Sequence, residues 1–116
     1  YSSDLARVGM LAADSMRACR LVVDTGMHAL GWSRQQAIDY KSAHTPLSLH
    51  IVEGEIDRYI GSPGQALSYM VGRLEIDRIR AEAEARGDFD IVAFHDTVLG
   101  HGMVSLPTLR RIVLDA

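Results

Sequence analysis

The chain has 116 residues, the size of one small domain. Hydrophobic residues make up 47% and charged residues 23%, which excludes a disordered chain. The net charge is −3 with no basic stripe, which argues against a nucleic-acid binder, and no apolar run approaches the ~20 residues of a membrane span.

Helix signals dominate from the start. Ser2 and Ser3 can cap a helix beginning near Asp4. Leu5, Val8, Leu11, Ala12, Met16, Cys19, Val22 and Val23 then recur at helical spacing. The pattern continues through Met27 to Leu30, with Gly31 as the stop. Such a helix is ~40 Å long at 1.5 Å per residue. That is long for so small a domain, so the helix is expected to pack against something the other helices cannot fully cover. Cys19, the single cysteine, lies on its apolar face and excludes an internal disulfide.

Ser33-Arg34-Gln35-Gln36 is a capping box that opens a second helix to about His44, where Thr45-Pro46 breaks it. Ser48 can cap a third helix to about Ile60. Ser62-Pro63-Gly64-Gln65 reads as a strong helix start, with Ser as cap, Pro at the first position and Gln completing the box. That helix is expected to run to about Arg86 and stop at Gly87. Its second half pairs Arg78 with Glu82, Arg80 with Glu84 and Glu82 with Arg86 at four-residue spacing, a solvated face. Phe89–Leu99 reads as a short helix broken by Gly100-His101-Gly102, and Leu106-Pro107 starts a last helix to about Leu114. No stretch alternates long enough to make a strand. The fold class is all-α, an array of about six helices with one long N-terminal helix, in a single domain over 1–116.

Two stretches carry unusual chemistry. Asp24 and His28 stand four apart on one helix face, either as a hydrogen-bonded pair that orients the ring or as part of a metal site. In Asp57–Gly72, Tyr59 and Tyr69 flank a tight turn, with Arg58 and Gln65 adding donors. The phenols could donate to an oxyanion, or they could be half-buried side chains at a corner. There is no H-E-x-x-H, no nucleophile elbow and no phosphate loop. No metal ligand set is assigned to this chain.

The motifs "RLVVDTGMH", "GWS", "RYIGSPGQALSY", "FHDTVLGHG" and "LPTLRR", in this order and spacing, make the chain resemble the C-terminal part of the bacterial domain-of-unknown-function family 885. That family is similar to zinc metallopeptidases of the gluzincin type, whose metal ligands lie well upstream of this stretch. The resemblance implies a C-terminal fragment of a larger helical peptidase-like fold. Zinc would be held by an upstream catalytic portion of the same protein, and the substrate would be a peptide. It also implies that His28, Tyr59 and Tyr69 are catalytic groups, and that Arg58, Gln65 and Asp24 bind or position substrate. By itself the chain is then inactive and carries no cofactor. The chain starts at Tyr1 without Met or a signal peptide's regions, which fits a processed or truncated piece and leaves its location in the cell open. Truncation would expose apolar faces, so a homodimer is expected in isolation. The alternative function is a non-enzymatic helical interaction or dimerisation module.

Overall fold

The structure of the protein, a computed structural model, describes residues 3–115. Among them there are six α-helices, one short 3₁₀ turn and no strand: α1 (Asp4–Ala29), α2 (Arg34–His44), α3 (Leu49–Gly61), the 3₁₀ turn (Gln65–Leu67), α4 (Ser68–Glu84), α5 (Ile91–Gly100) and α6 (Leu106–Leu114). None is long and apolar enough to cross a membrane among the described residues. The chain divides into two compact units, Tyr1–Met70 and Val71–Ala116.

The caps explain most boundaries. Ser3 accepts the Ala6 N–H at the start of α1; Ser2, the other candidate, lies outside the described residues. Ser33 and Gln36 close both halves of the capping box at α2, at 3.1 and 2.8 Å. Asp90 accepts the Val92 and Ala93 N–H groups at α5, and Ser105 accepts the Thr108 N–H at α6 with Pro107 in the first turn. Each cap satisfies donors that a helix start leaves orphaned. Ser48 precedes α3 as expected but makes no side-chain cap bond.

One boundary differs from the sequence reading. Ser62 does not open a helix; it ends α3, its N–H reaching the Arg58 and Tyr59 carbonyls at 3.1 and 3.3 Å. Gly64 follows at φ +81°, where a side chain would be strained, and α4 begins only at Ser68. The reason is competition for the capping groups. The Gln65 side chain accepts from Arg58, and the Gly64 N–H goes to Asp24 of α1.

The first unit packs α1 on α2, α2 on α3, and α1 on the 3₁₀ turn. Its core holds Cys19 and Val23 from α1, Ala37 and Ile38 from α2, Val52, Ile56 and Tyr59 from α3, and Ala66, with Met27, Trp32, Tyr40 and Leu47 packed around it. All buried residues of α1 lie in its C-terminal half, whereas Leu5, Val8 and Leu11 are 82, 61 and 58% exposed. The long helix therefore presents an apolar face that nothing in the described structure covers.

The α1–α2 corner turns on Gly26. Its carbonyl accepts the N–H groups of Leu30 and Trp32, and the Trp32 ring lies on its Cα. A methyl group there would sit 2.5 Å from two Trp32 ring carbons. Gly26→Ala should therefore lower stability by about 2 kcal/mol through overpacking, although alanine favours a helix over glycine by about 1 kcal/mol. Thermal denaturation checks this; a raised Tm would mean that Trp32 can step aside.

The second unit has its own core of Ile79, Phe94, Leu109 and Leu114, flanked by Ile76, Ala83, Phe89, Val98 and Val113. The charged face of α4 is only partly solvated. Arg80 pairs with Glu84 at 2.8 Å as expected, but Glu82 binds Arg110 of α6, which also reaches Glu75 at 3.2 Å. Arg86 donates to the Leu114 carbonyl. These charges tie α6 to α4, because α6 packs close enough to offer partners that four-residue spacing cannot reveal.

Candidate functional site

Two linked polar clusters occupy the first unit. The first centres on Asp24, which is 1% exposed. Both carboxylate oxygens accept the Gly64 N–H, each at 3.1 Å, so α1 holds the turn between α3 and α4. The same side chain lies 2.8 Å from His28 Nδ1, and the Asp24 carbonyl is 3.0 Å from that nitrogen. A carbonyl oxygen can only accept, so Nδ1 carries the proton. In the neutral ring Nε2 is then the acceptor, on a side chain that is 30% exposed. An Asp–His pair built this way presents an oriented nitrogen at the surface.

The second cluster joins three helices around the Tyr59 hydroxyl, which is buried. Arg20 Nε of α1 and Lys41 Nζ of α2 both donate to it at 3.1 Å. Its own proton goes to Glu55 Oε2 at 2.5 Å, one turn back on α3. Glu55 Oε2 also takes Arg20 Nε and Nη2 at 3.0 and 2.9 Å. Arg20 is 9% and Lys41 0% exposed. Buried charges require such partners, because leaving water unpaired costs several kcal/mol.

The ionisation of the cluster follows. Burial pushes the Glu55 carboxyl up, but hydrogen bonds from Tyr59 and Arg20 and the nearby guanidinium charges outweigh it and hold it below the usual carboxylate value. Burial and the bond to Glu55 raise the Tyr59 phenol far above its ordinary value, so it stays neutral. Burial lowers Lys41. Burial also raises the Cys19 thiol, against the opposing charge of Lys41, which makes it a weak nucleophile.

Arg58, at the C-terminal end of α3, links this cluster to the turn. Its Nη1 donates to Gln65 Oε1 at 2.9 Å, its Nε is 3.5 Å from Glu55 Oε1, and its guanidinium lies 5.3 Å from the Tyr59 ring centre. Tyr69 is 47% exposed, and the Arg20 guanidinium sits 5.1 Å from its ring centre. The structure thus brings Asp24 to His28, and Tyr59, Arg58 and Gln65 to one corner, while the Tyr69 ring faces Arg20. Tyr59 is inside that corner, with its single proton committed to Glu55. Tyr69, Arg58 and His28 reach solvent.

Arg20, Lys41 and Glu55 are absent from the sequence reading. A signal for them existed. Lys41 stands three and four residues after Ile38 and Ala37, inside the apolar stripe of α2, and Arg20 is flanked on its helix face by Val23. Glu55 and Tyr59 share a face at four-residue spacing. Among the described residues, no group of three or more His, Cys, Asp and Glu side chains is placed to hold a metal ion.

Comparison with known proteins gives the family. No curated protein matches the chain. A solved structure described as "the putative lipoprotein from Colwellia psychrerythraea" is 49% identical, with a TM-score of 0.90, over 92% of this chain and 19% of that one. The chain therefore corresponds to a small part of that relative's length. The family profile described as "Bacterial protein of unknown function (DUF885)" matches residues 1–113. With the match running over nearly the whole sequence, the chain belongs to the bacterial DUF885 family.

Proposed function

We propose that this chain forms one wall of a peptide-hydrolysing site in a larger, zinc-dependent protein. The observation that carries this reading is the Asp24–His28 pair. A carboxylate that is 1% exposed fixes the ring of a surface histidine and, in the same contact, the turn that carries Gln65. Such an arrangement orients one nitrogen to donate to, or accept from, a reacting group. The relative's greater length supports a catalytic partner segment in the same polypeptide. Zinc does not fit the residues of this chain, whose His, Cys, Asp and Glu side chains form no ligand group among the described residues. The metal expected in the full-length protein would be held elsewhere, and His28, Tyr69 and Arg58 would act on the peptide.

The test is metal content and hydrolysis of a peptide mixture, followed by mass spectrometry, on the full-length protein and on this chain alone. Stoichiometric zinc and cleavage only with the full-length protein are expected. Tight zinc on the isolated chain, or no cleavage by the zinc-loaded full-length protein, would overturn the reading.

One observation favours the second reading, an interaction module: the exposed Leu5, Val8 and Leu11 on α1. Isolated chain should then self-associate in sedimentation, and Leu11→Glu should return it to a monomer.

A further inference from the structure

We infer that the cleft between Trp32 and Tyr40 binds an organic cation, with Asp39 as its counter-charge. The ligand class is an ammonium group on an apolar shell, either a free quaternary ammonium or the basic end of a peptide side chain. The inference does not rest on the peptidase reading, because the cleft uses none of the residues assigned to hydrolysis.

The walls come first. Trp32, Gln36, Asp39 and Tyr40 line an open cleft of about 390 Å³. Gln36, Asp39 and Tyr40 stand three and four residues apart, so they share one face of α2, opposite in role to the buried Ala37, Ile38 and Lys41. The Trp32 and Tyr40 ring centres are 5.4 Å apart and the planes are tilted by 51°, a wedge rather than a closed stack. Both rings are held before a ligand arrives. The Trp32 ring rests on Gly26, whose carbonyl accepts the Trp32 backbone N–H at 2.9 Å. Tyr40 stacks on His44 with ring centres 4.0 Å apart, and His44 Nδ1 donates to the Tyr40 carbonyl at 2.7 Å. Walls fixed in this way lose little freedom on binding.

The charge comes second. Aromatic faces are negative and attract a cation within ~6 Å of the ring centre. Among the lining residues only Asp39 is charged. It is exposed, its Oδ1 accepts from the Gln35 amide at 2.8 Å, and it forms no ion pair with any described residue. Asp57 and Glu82, by contrast, each bind an arginine. Gln36 spends its oxygen on the Ser33 N–H, so the carboxylate is the anionic acceptor that the cleft keeps. Clefts of the second unit have arginines in their walls, Arg86 in one and Arg78 with Arg110 in another, whereas this cleft has none. Two aromatic walls and a carboxylate without a counter-charge suit a positive charge spread over an apolar group. A sugar ring would stack on the same walls but would leave that carboxylate uncompensated.

The experiment is calorimetry on the full-length protein, with no turnover required. The probes are choline, its uncharged isostere 3,3-dimethylbutanol, acetyl-lysine methylamide and methyl glucoside. Choline should bind roughly tenfold more tightly than the isostere, as a cation–π contact plus one counter-charge predicts. Asp39→Asn keeps the shape of an exposed side chain, so it should leave Tm unchanged and reduce that ratio roughly fivefold. Trp32→Phe should weaken choline binding through the poorer ring. Tighter binding of choline than of acetyl-lysine methylamide assigns a free quaternary ammonium, and the reverse assigns a basic side chain; either supports the cation site. Equal binding of choline and the isostere would overturn it. So would a ratio that survives Asp39→Asn, tighter binding of methyl glucoside than of choline, or no binding by any probe. A protein that binds choline through Asp39 but hydrolyses no peptide would sink the peptidase reading and leave this site standing.

Discussion

Glu55→Ala should destabilise the protein by about 3 kcal/mol. Among the described residues, Glu55 is the carboxylate bonded to both Arg20 and Tyr59, and its side chain is 18% exposed. Removing it leaves a guanidinium that is 9% exposed and an ammonium that is 0% exposed around a phenol with no acceptor. Breaking a buried pair from one side costs about 3–5 kcal/mol, and the partial exposure of Glu55 puts the effect at the lower end. Replacing the other side should behave differently. Lys41→Met removes a buried charge and fills the same space, so it should be near neutral or slightly stabilising. Urea denaturation of both variants checks the contrast; equal losses would mean that the ammonium anchors the network as much as the carboxylate does.

The acid limb of stability follows from the same residue. The Glu55 carboxyl lies below its ordinary value of 4.5 in the folded protein. Its contribution is therefore fully present above about pH 4.5 and is lost as pH falls through the lower folded value. Glu55→Gln should flatten that limb, and an unchanged acid transition would assign it to other carboxylates.

On the proposed reading, His28→Ala should reduce peptide hydrolysis by the full-length protein roughly 100-fold while leaving Tm almost unchanged. A positioned proton donor or acceptor is worth about that much in rate. The ring is 30% exposed and its partners are on its own helix, so little packing is lost. Asp24→Ala should cost both quantities. It frees His28 and also removes the carboxylate that accepts the Gly64 N–H, a charge-assisted hydrogen bond worth about 1.5–3 kcal/mol. If His28→Ala lowers Tm as much as Asp24→Ala, the histidine serves the fold and the proposed role fails.

How much of this was legible without coordinates depended on how local the cause was. The helical class and most helix bounds rest on contacts within four residues. Ser33 with Gln36, Asp90 with Val92, and Ser105 with Thr108 are of this kind. Helix periodicity and caps act over the same distance, so sequence shows them directly. The Asp24–His28 face is also local, one turn of α1.

Tertiary structure decided the rest. Gln65 was free, by sequence, to complete a capping box at Ser62, but Arg58 takes its oxygen. The Gly64 N–H was free to begin a helix, but Asp24, forty residues earlier, takes it. Glu82 was free to pair within α4, but Arg110 of α6 is there. Most of all, nothing along the chain says that Arg20, Lys41 and Glu55 meet at one phenol. Each comes from a different helix, and only their packing around a shared core puts them within hydrogen-bond reach. A single polar group has several possible partners of similar strength, and the one it keeps is chosen by which helices the apolar faces bring together.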